Sequence, residues 1–343
     1  MKKHFKLIVK TALISVYVIF LAGSIVRMTG SGMGCPDWPK CFGYYIPPTD
    51  EAQLRWKANT AYNEGTLIVL DETLYVANSD LQTELEWKPT NWSPYTKHEY
   101  AIFNVYHTWT EYINRLASVV SGLIFLFLIA ASLKFWKEKK GITLLSFGAF
   151  FMMLFEAWLG KTVVDSVLEP WIITVHMLVG LLIIAVLLQI LAWMSSEEKR
   201  AIKFDKTFHK LLLLSTLFSV IQIAMGTQVR QFVDEQVRLF GFESKQMSLY
   251  NPNLNFYIHR SFTIAIVLVN FLIFYKNETL QLGFKIPKWI LGLLLLEALT
   301  GILMYYSDFP FGTQAVHLMS GALLFGLQFY LVLMHRGLKD ESL

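Results

Sequence analysis

Eight apolar stretches, most of them about twenty residues long, narrow the folds open to this chain more than any other feature. A bilayer core offers no water to backbone groups, so a run of that length reads as a helix that satisfies its own hydrogen bonds. The runs fall at about 11–29, 104–133, 142–163, 171–194, 207–230, 256–275, 287–306 and 312–334. With 54% of the 343 residues hydrophobic, a soluble fold is excluded. The surroundings are a lipid bilayer.

Charge sets the expected orientation. The N-terminus, the even-numbered loops and the C-terminus together carry 18 Lys+Arg against 7 Asp+Glu, while the other side and the outer helix halves carry 12 against 19. The positive-inside rule then puts both termini in the cytoplasm. A pI near 8.8 reflects this anchoring, and nucleic acid is not an expected partner. Lys2, Lys3 and Lys6 ahead of the first run imitate a signal peptide. However, GSIVR at 23–27 is echoed by GTQVR at 226–230, so the first run is expected to be a retained helix.

That echo belongs to a larger repeat. Glu156, Ala157, Gly160, His176 and Gly180 recur as Glu297, Ala298, Gly301, His317 and Gly321 at an offset of 141. Tyr112-Ile113-Asn114-Arg115 likewise matches Tyr257-Ile258-His259-Arg260 at an offset of 145. The expected fold is an all-α membrane protein of eight transmembrane helices, arranged as two repeat-related four-helix bundles over residues 1–200 and 201–343. Arg27 to Arg115 spans 88 residues where Arg230 to Arg260 spans 30, so the first half carries an extracytoplasmic insertion of 58 residues within about 35–100. Residues 42–100 of it hold Trp56, Trp87 and Trp92, too aromatic for a plain linker. Residues 66–78 suit a hairpin turning at Asp71-Glu72.

Cys35 and Cys41 are the only cysteines, and both lie in the loop after the first run. A disulfide is expected outside the cytoplasm, either as a staple worth about 2 kcal/mol or as a redox-active pair.

Four of the eight histidines, His4, His98, His209 and His335, sit in loops or at cytoplasmic helix ends. His107, His176, His259 and His317 lie within or at the outer ends of apolar runs, where a polar ring is costly and needs a reason. His176, His259 and His317 share a depth of roughly 5–7 Å below their helix starts. Two imidazoles at one depth in one bundle suit the axial positions of a haem, whereas zinc would want further ligands. Gly180 and Gly321, one turn beyond their histidines, leave room for a flat ligand. Arg27, Arg115, Arg230 and Arg260 read as propionate partners or as interface anchors. Glu156 and Glu297 read as carboxyls that orient the rings or as helix-to-helix hydrogen bonders.

The repeat breaks where the second half has Phe256 and His259 and the first has Glu111 and Asn114. One unit offers an iron two histidines; the other offers His176 and a carboxylate. A permanent haem in the C-terminal half and an exchangeable site in the N-terminal half follow. Glu111 would act there as general base or hold a water. The spacing of His107 from Asn114 makes it an interface residue or propionate partner rather than an iron ligand.

At MTGSGMGCPDWPKCFG after the first run, Glu111-Tyr-Ile-Asn-Arg115, His176, His259-Arg260 and His317, the chain resembles the haem A synthase family. The resemblance covers nearly everything except 42–100. It implies oxidation of a haem O methyl group to the formyl of haem A by successive hydroxylation, with haem b held by His259 and His317 relaying electrons. His176 and Glu111 would serve the haem O site, and the arginines would fix propionates. It also implies haem O synthase and an electron acceptor, a quinone or another carrier, as partners, and a place in the inner (plasma) membrane. A homo-oligomer is left open. The family's second-helix motif is Glu-x-x-His-Arg, so Asn114 is a departure, and the axial ligand there does not carry over. A cytochrome b561-like electron carrier and a non-enzymatic haem chaperone for oxidase assembly are the competing readings.

Overall fold

The computed structural model describes residues 2–71, 73–96, 103–166, 168–195, 204–241, 249 and 251–340. Among these are eight long helices: α1 (Lys2–Met28), α2 (Val105–Ser132), α3 (Lys140–Asp165), α4 (Pro170–Ser195), α5 (Lys206–Phe240), α6 (Leu254–Thr279), α7 (Ile286–Tyr306) and α8 (Thr313–Asp340). All eight are long and apolar enough to cross a membrane. Even α7, the shortest at 21 residues, extends about 31 Å. The chain is an all-α polytopic membrane protein. His98, Glu72 of the expected turn and the expected boundary between halves at 200 lie outside the described residues.

Helix contacts follow one pattern twice. α1 packs on α2 and α4, α2 on α3, and α3 on α4; four helices on, α5 packs on α6 and α8, α6 on α7, and α7 on α8. The halves meet where α8 touches α1 and α4, and where α4 touches α5. Phe5, Val9 and Val16 of α1, Ile184 and Leu187 of α4 and Phe325 of α8 are buried together there. On the outside, Ile14, Val18, Leu123, Phe127, Phe151, Leu268 and Phe271 stay exposed, an apolar surface that only hydrocarbon solvates well.

Side-chain caps fix where α2 and α6 begin. Asn104 Oδ1 accepts from the Tyr106 and His107 N–H groups, and Asn253 accepts from Phe256 N–H. The expected end of the fifth helix at Arg230 is corrected: α5 runs ten residues further, to Phe240. Beyond Arg230 its sequence is polar, and pairs one turn apart sustain the helix, Arg230 with Asp234 at 2.7 Å and Gln231 with Glu235 at 2.8 Å.

The insertion folds as a small strand-rich cap built from β1 (Ala61–Tyr62), β2 (Leu67–Leu70), β3 (Thr73–Ala77), β4 (Leu81–Gln82) and β5 (Trp92–Pro94). β2 and β3 form the expected antiparallel hairpin, with Leu70 opposite Thr73. Asp71 supplies the turn with a left-handed φ of 47°, which a short polar side chain tolerates. β5 extends this sheet beside β3, and β1 pairs with β4. Trp87 stacks on Trp92 with ring centres 5.4 Å apart and meets Trp56 edge-on at 6.1 Å. Trp92 is buried with Tyr62, Ile68 and Ala77 in one core of the cap, and the half-buried Trp56 and Trp87 pack against it.

Candidate functional site

The histidines picked out by the repeat stand near the helix ends on the insertion side. His176 is six residues into α4, His259 five into α6 and His317 four into α8, so all three lie roughly 6–9 Å along their helices.

In the second half two of them converge. The rings of His259 and His317 have centres 6.5 Å apart, with planes at 66°. Two metal–imidazole bonds of about 2 Å plus the inner radii of two five-membered rings come to about 6 Å, so one metal ion fits between them. Each ring is held from behind. Glu297 Oε2 lies 3.1 Å and Thr300 Oγ1 2.9 Å from His317 Nδ1, which leaves Nε2 for a ligand. His259 is backed by Gly226, where a Cβ would stand 3.2 Å from its Cε1. Gln222 on α5 donates to the His259 carbonyl at 3.0 Å and to Thr263 Oγ1 at 2.9 Å, fixing that turn of α6. His259 Nδ1 is buried without a partner, as a ring awaiting a ligand would be.

The first half has the same frame with different contents. Glu156 Oε2 pairs with His176 Nδ1 as Glu297 does with His317, so each carboxyl faces Nδ1 and leaves Nε2 to the other side of the ring. A Cβ at Gly23 would stand 3.9 Å from Asn114 Oδ1, as one at Gly226 would stand 3.2 Å from His259 Cε1. Asn114 Oδ1 is buried and unpartnered, and among the described residues His176 pairs with no second histidine ring. The expectation of open space at Gly180 is corrected: the Phe20 ring fills it, 2.8 Å from where a Cβ would be, because α1 packs closely on α4. Gly321 likewise faces the Glu297 carboxyl.

Glu111 and Arg115 seat the cysteine loop on α2. Cys35 and Cys41 form a disulfide. Cys35 N–H donates to Glu111 Oε2 at 2.8 Å, and Arg115 donates to Glu111 Oε1 at 2.5 Å. Arg115 also reaches the carbonyls of Asp37 and Lys40, each at 2.9 Å. Asp37 in turn accepts from the Phe42 and Gly43 N–H groups. Burial pushes its carboxyl above the usual range, against the pull of those N–H groups and Arg115. His107, two residues into α2, meets Ser31 Oγ through Nδ1 at 2.9 Å.

Between the halves lies a cluster of charge. Arg27 at the end of α1 and Arg230 on α5 share Asp234, at 3.0 and 2.7 Å. Arg230 also donates to Gln314 Oε1 at 2.6 Å and to the Arg27 carbonyl at 3.1 Å. Two guanidiniums against one carboxylate leave a positive excess, and both Nε atoms are buried without a partner. Such N–H groups could bind a further anion such as a carboxylate. Arg260 instead lies over the Tyr305 ring at 5.8 Å.

Thr300, Ser320, Gln222 and Asp234 were not singled out by sequence. Thr300 and Ser320 carry a signal all the same, since they sit three residues beyond Glu297 and His317 at positions that are Leu159 and Val179 in the first half.

The family described as cytochrome oxidase assembly protein, COX15-CtaA, matches residues 6–87 and 81–329 of the chain. A protein called Heme A synthase from Bacillus mycoides is 21% identical over 348 residues, 97% of this chain and 94% of that protein. Another of that name from Alkalihalophilus pseudofirmus is 23% identical over 350 residues, 97% of this chain and 98% of the relative. One from Shewanella oneidensis is 25% identical over 222 residues, covering 64% of this chain and 54% of its own length.

Proposed function

The chain belongs to the COX15-CtaA family, the haem A synthases, and on that premise we propose that it is an oxidoreductase converting haem O to haem A. The supporting observation is the inequality of the two halves: a converging His259–His317 pair in one, and in the other His176 with no second histidine ring beside it among the described residues, Asn114 standing at the position that is His259 in the repeat. One resident haem and one exchangeable haem substrate account for it.

The substrate's methyl group becomes a hydroxymethyl group, then a gem-diol that loses water to leave the formyl group. Each of the two oxidations takes its oxygen atom from a water molecule and releases two electrons and two protons, the electrons passing to a quinone or another carrier. Haem b, when bound, supplies one-electron transfer. His259 and His317 hold it, with Glu297 and Thr300 orienting His317. His176 holds the substrate iron. The unpartnered Nε atoms of Arg27 and Arg230 suit propionates, with Arg115 and Arg260 as further candidates. Glu111, whose second-half counterpart is Phe256, handles the protons. Haem O synthase supplies the substrate, and the site faces away from the cytoplasm of the inner membrane.

The test is to co-produce the chain with a haem O supply, extract the haems and separate them chromatographically. Haem A is expected. Two bis-histidine haems with no haem A would mean an electron carrier, and unaltered haem O would mean a chaperone.

Asn114 makes a second expectation specific to this chain. A neutral amide is a poor iron ligand, and His107 lies seven residues, roughly 10 Å, away along α2 while already engaged with Ser31. Bound haem O is therefore expected to be high-spin, and His107→Ala to keep that spectrum and much of the activity. A low-spin substrate haem turned high-spin by His107→Ala would make His107 the missing ligand.

A further inference from the structure

The two Glu–His pairs share their sequence spacing but not their surroundings. In the second half, His317 Nδ1–H faces two acceptors, Glu297 Oε2 at 3.1 Å and Thr300 Oγ1 at 2.9 Å. The Thr300 hydroxyl is within bonding distance of the backbone carbonyls of Leu296 and Glu297, so its proton goes there and a lone pair is left for the ring. The Ser320 hydroxyl also stands against Glu297 Oε1, with the carbonyls of Val316 and His317 competing for its proton. The His317 Nδ1–H is thus divided between two acceptors.

In the first half neither hydroxyl exists. Leu159 and Val179 stand where the repeat has Thr300 and Ser320. Glu156 Oε2 and His176 Nδ1 form an ion pair, and among the described residues neither that nitrogen nor Glu156 Oε1, both buried, has a further hydrogen-bond partner. A carboxyl that accepts the ring N–H raises the basicity of the opposite nitrogen, and it does so more when no other donor competes for it.

We propose that Glu156 makes His176 a stronger electron donor to its iron than His317 is, through an undivided hydrogen bond. This rests on the reading that His176 takes the substrate iron. The donation would be directed at the haem to be oxidised, and the divided pair would keep the resident haem a milder relay. Glu156 is a positioning residue here, acting only through the ring.

The measurement is resonance Raman of the ferrous chain loaded with haem O, following the iron–histidine stretching band. Glu156→Leu is expected to move that band to lower frequency and to cut haem A formation about tenfold. Glu156→Gln should fall between Glu156→Leu and the parent. Leu159→Thr, which adds a competing acceptor without touching the carboxyl, should shift the band the same way by less, and it carries the test should Glu156→Leu fail to fold. An unmoved band in these variants, with the band abolished by His176→Ala, overturns this inference and leaves the ligation standing. A band that survives His176→Ala overturns the ligation and this inference with it.

Discussion

Replacing His317 or His259 with Ala is expected to abolish the low-spin haem spectrum of the purified protein outright. The two rings are set 6.5 Å apart by different helices, and the other two histidines of that half, His209 and His335, meet each other near the opposite helix ends, so neither ring has a histidine to replace it. Loss of one ring leaves the other to bind iron from one side, which gives a high-spin centre or none. The electron relay depends on that centre, so haem A formation should fall with it. Retention of a full low-spin signal in both variants would show that the ligands are elsewhere.

Glu111→Ala is expected to lower haem A formation by about a hundredfold or more while haem b content stays at the parent level. Glu111 lies in the first half, on a helix that does not carry either ring of the converging pair. Beyond its proposed part in proton handling, its two oxygens tie the Cys35 N–H and Arg115, so the variant also removes one tie between the disulfide loop and α2, leaving the bonds of Arg115 to the Asp37 and Lys40 carbonyls and of Thr108 to Gly34. The haem A to haem O ratio and the haem b absorbance, read on one preparation, separate the two outcomes. Normal product would remove Glu111 from the chemistry. Equal loss of haem b would make it a residue of general folding.

Apolar run length was enough to locate all eight helices, because a bilayer leaves a twenty-residue segment almost no alternative. Their ends were less visible. Arg230 looked like the close of α5 because hydropathy drops there, yet the helix continues on Asp234 and Glu235, whose stabilising contacts are local pairs and not apolar character. His176, His259 and His317 were legible because the chain states the pattern twice, which separates a shared purpose from an isolated polar residue. Glu156 and Glu297, read from the repeat as carboxyls that orient the rings, do stand against His176 and His317; the contacts supplied by other helices were not legible. Gln222 reaches the His259 carbonyl from another helix, and Phe20 fills the groove at Gly180 from α1; both are consequences of packing between elements distant in sequence. The hairpin at β2 and β3 lies where residues 66–78 suited one, although its turn uses Asp71 where a glycine would have been the obvious sign.

The contact between α1 and α8 sets an order on how the molecule can be made. α1 ends at Met28 and α8 begins at Thr313, so the ribosome delivers about 285 residues between them. At typical elongation rates the first helix waits on the order of half a minute for its neighbour. During that interval the sides of α1 and α4 that will finally hold Phe325 have only lipid against them. A nascent chain halted after α4 is therefore an unfinished object rather than a smaller protein. That contact closes only once α8 has emerged and docked against α1 and α4.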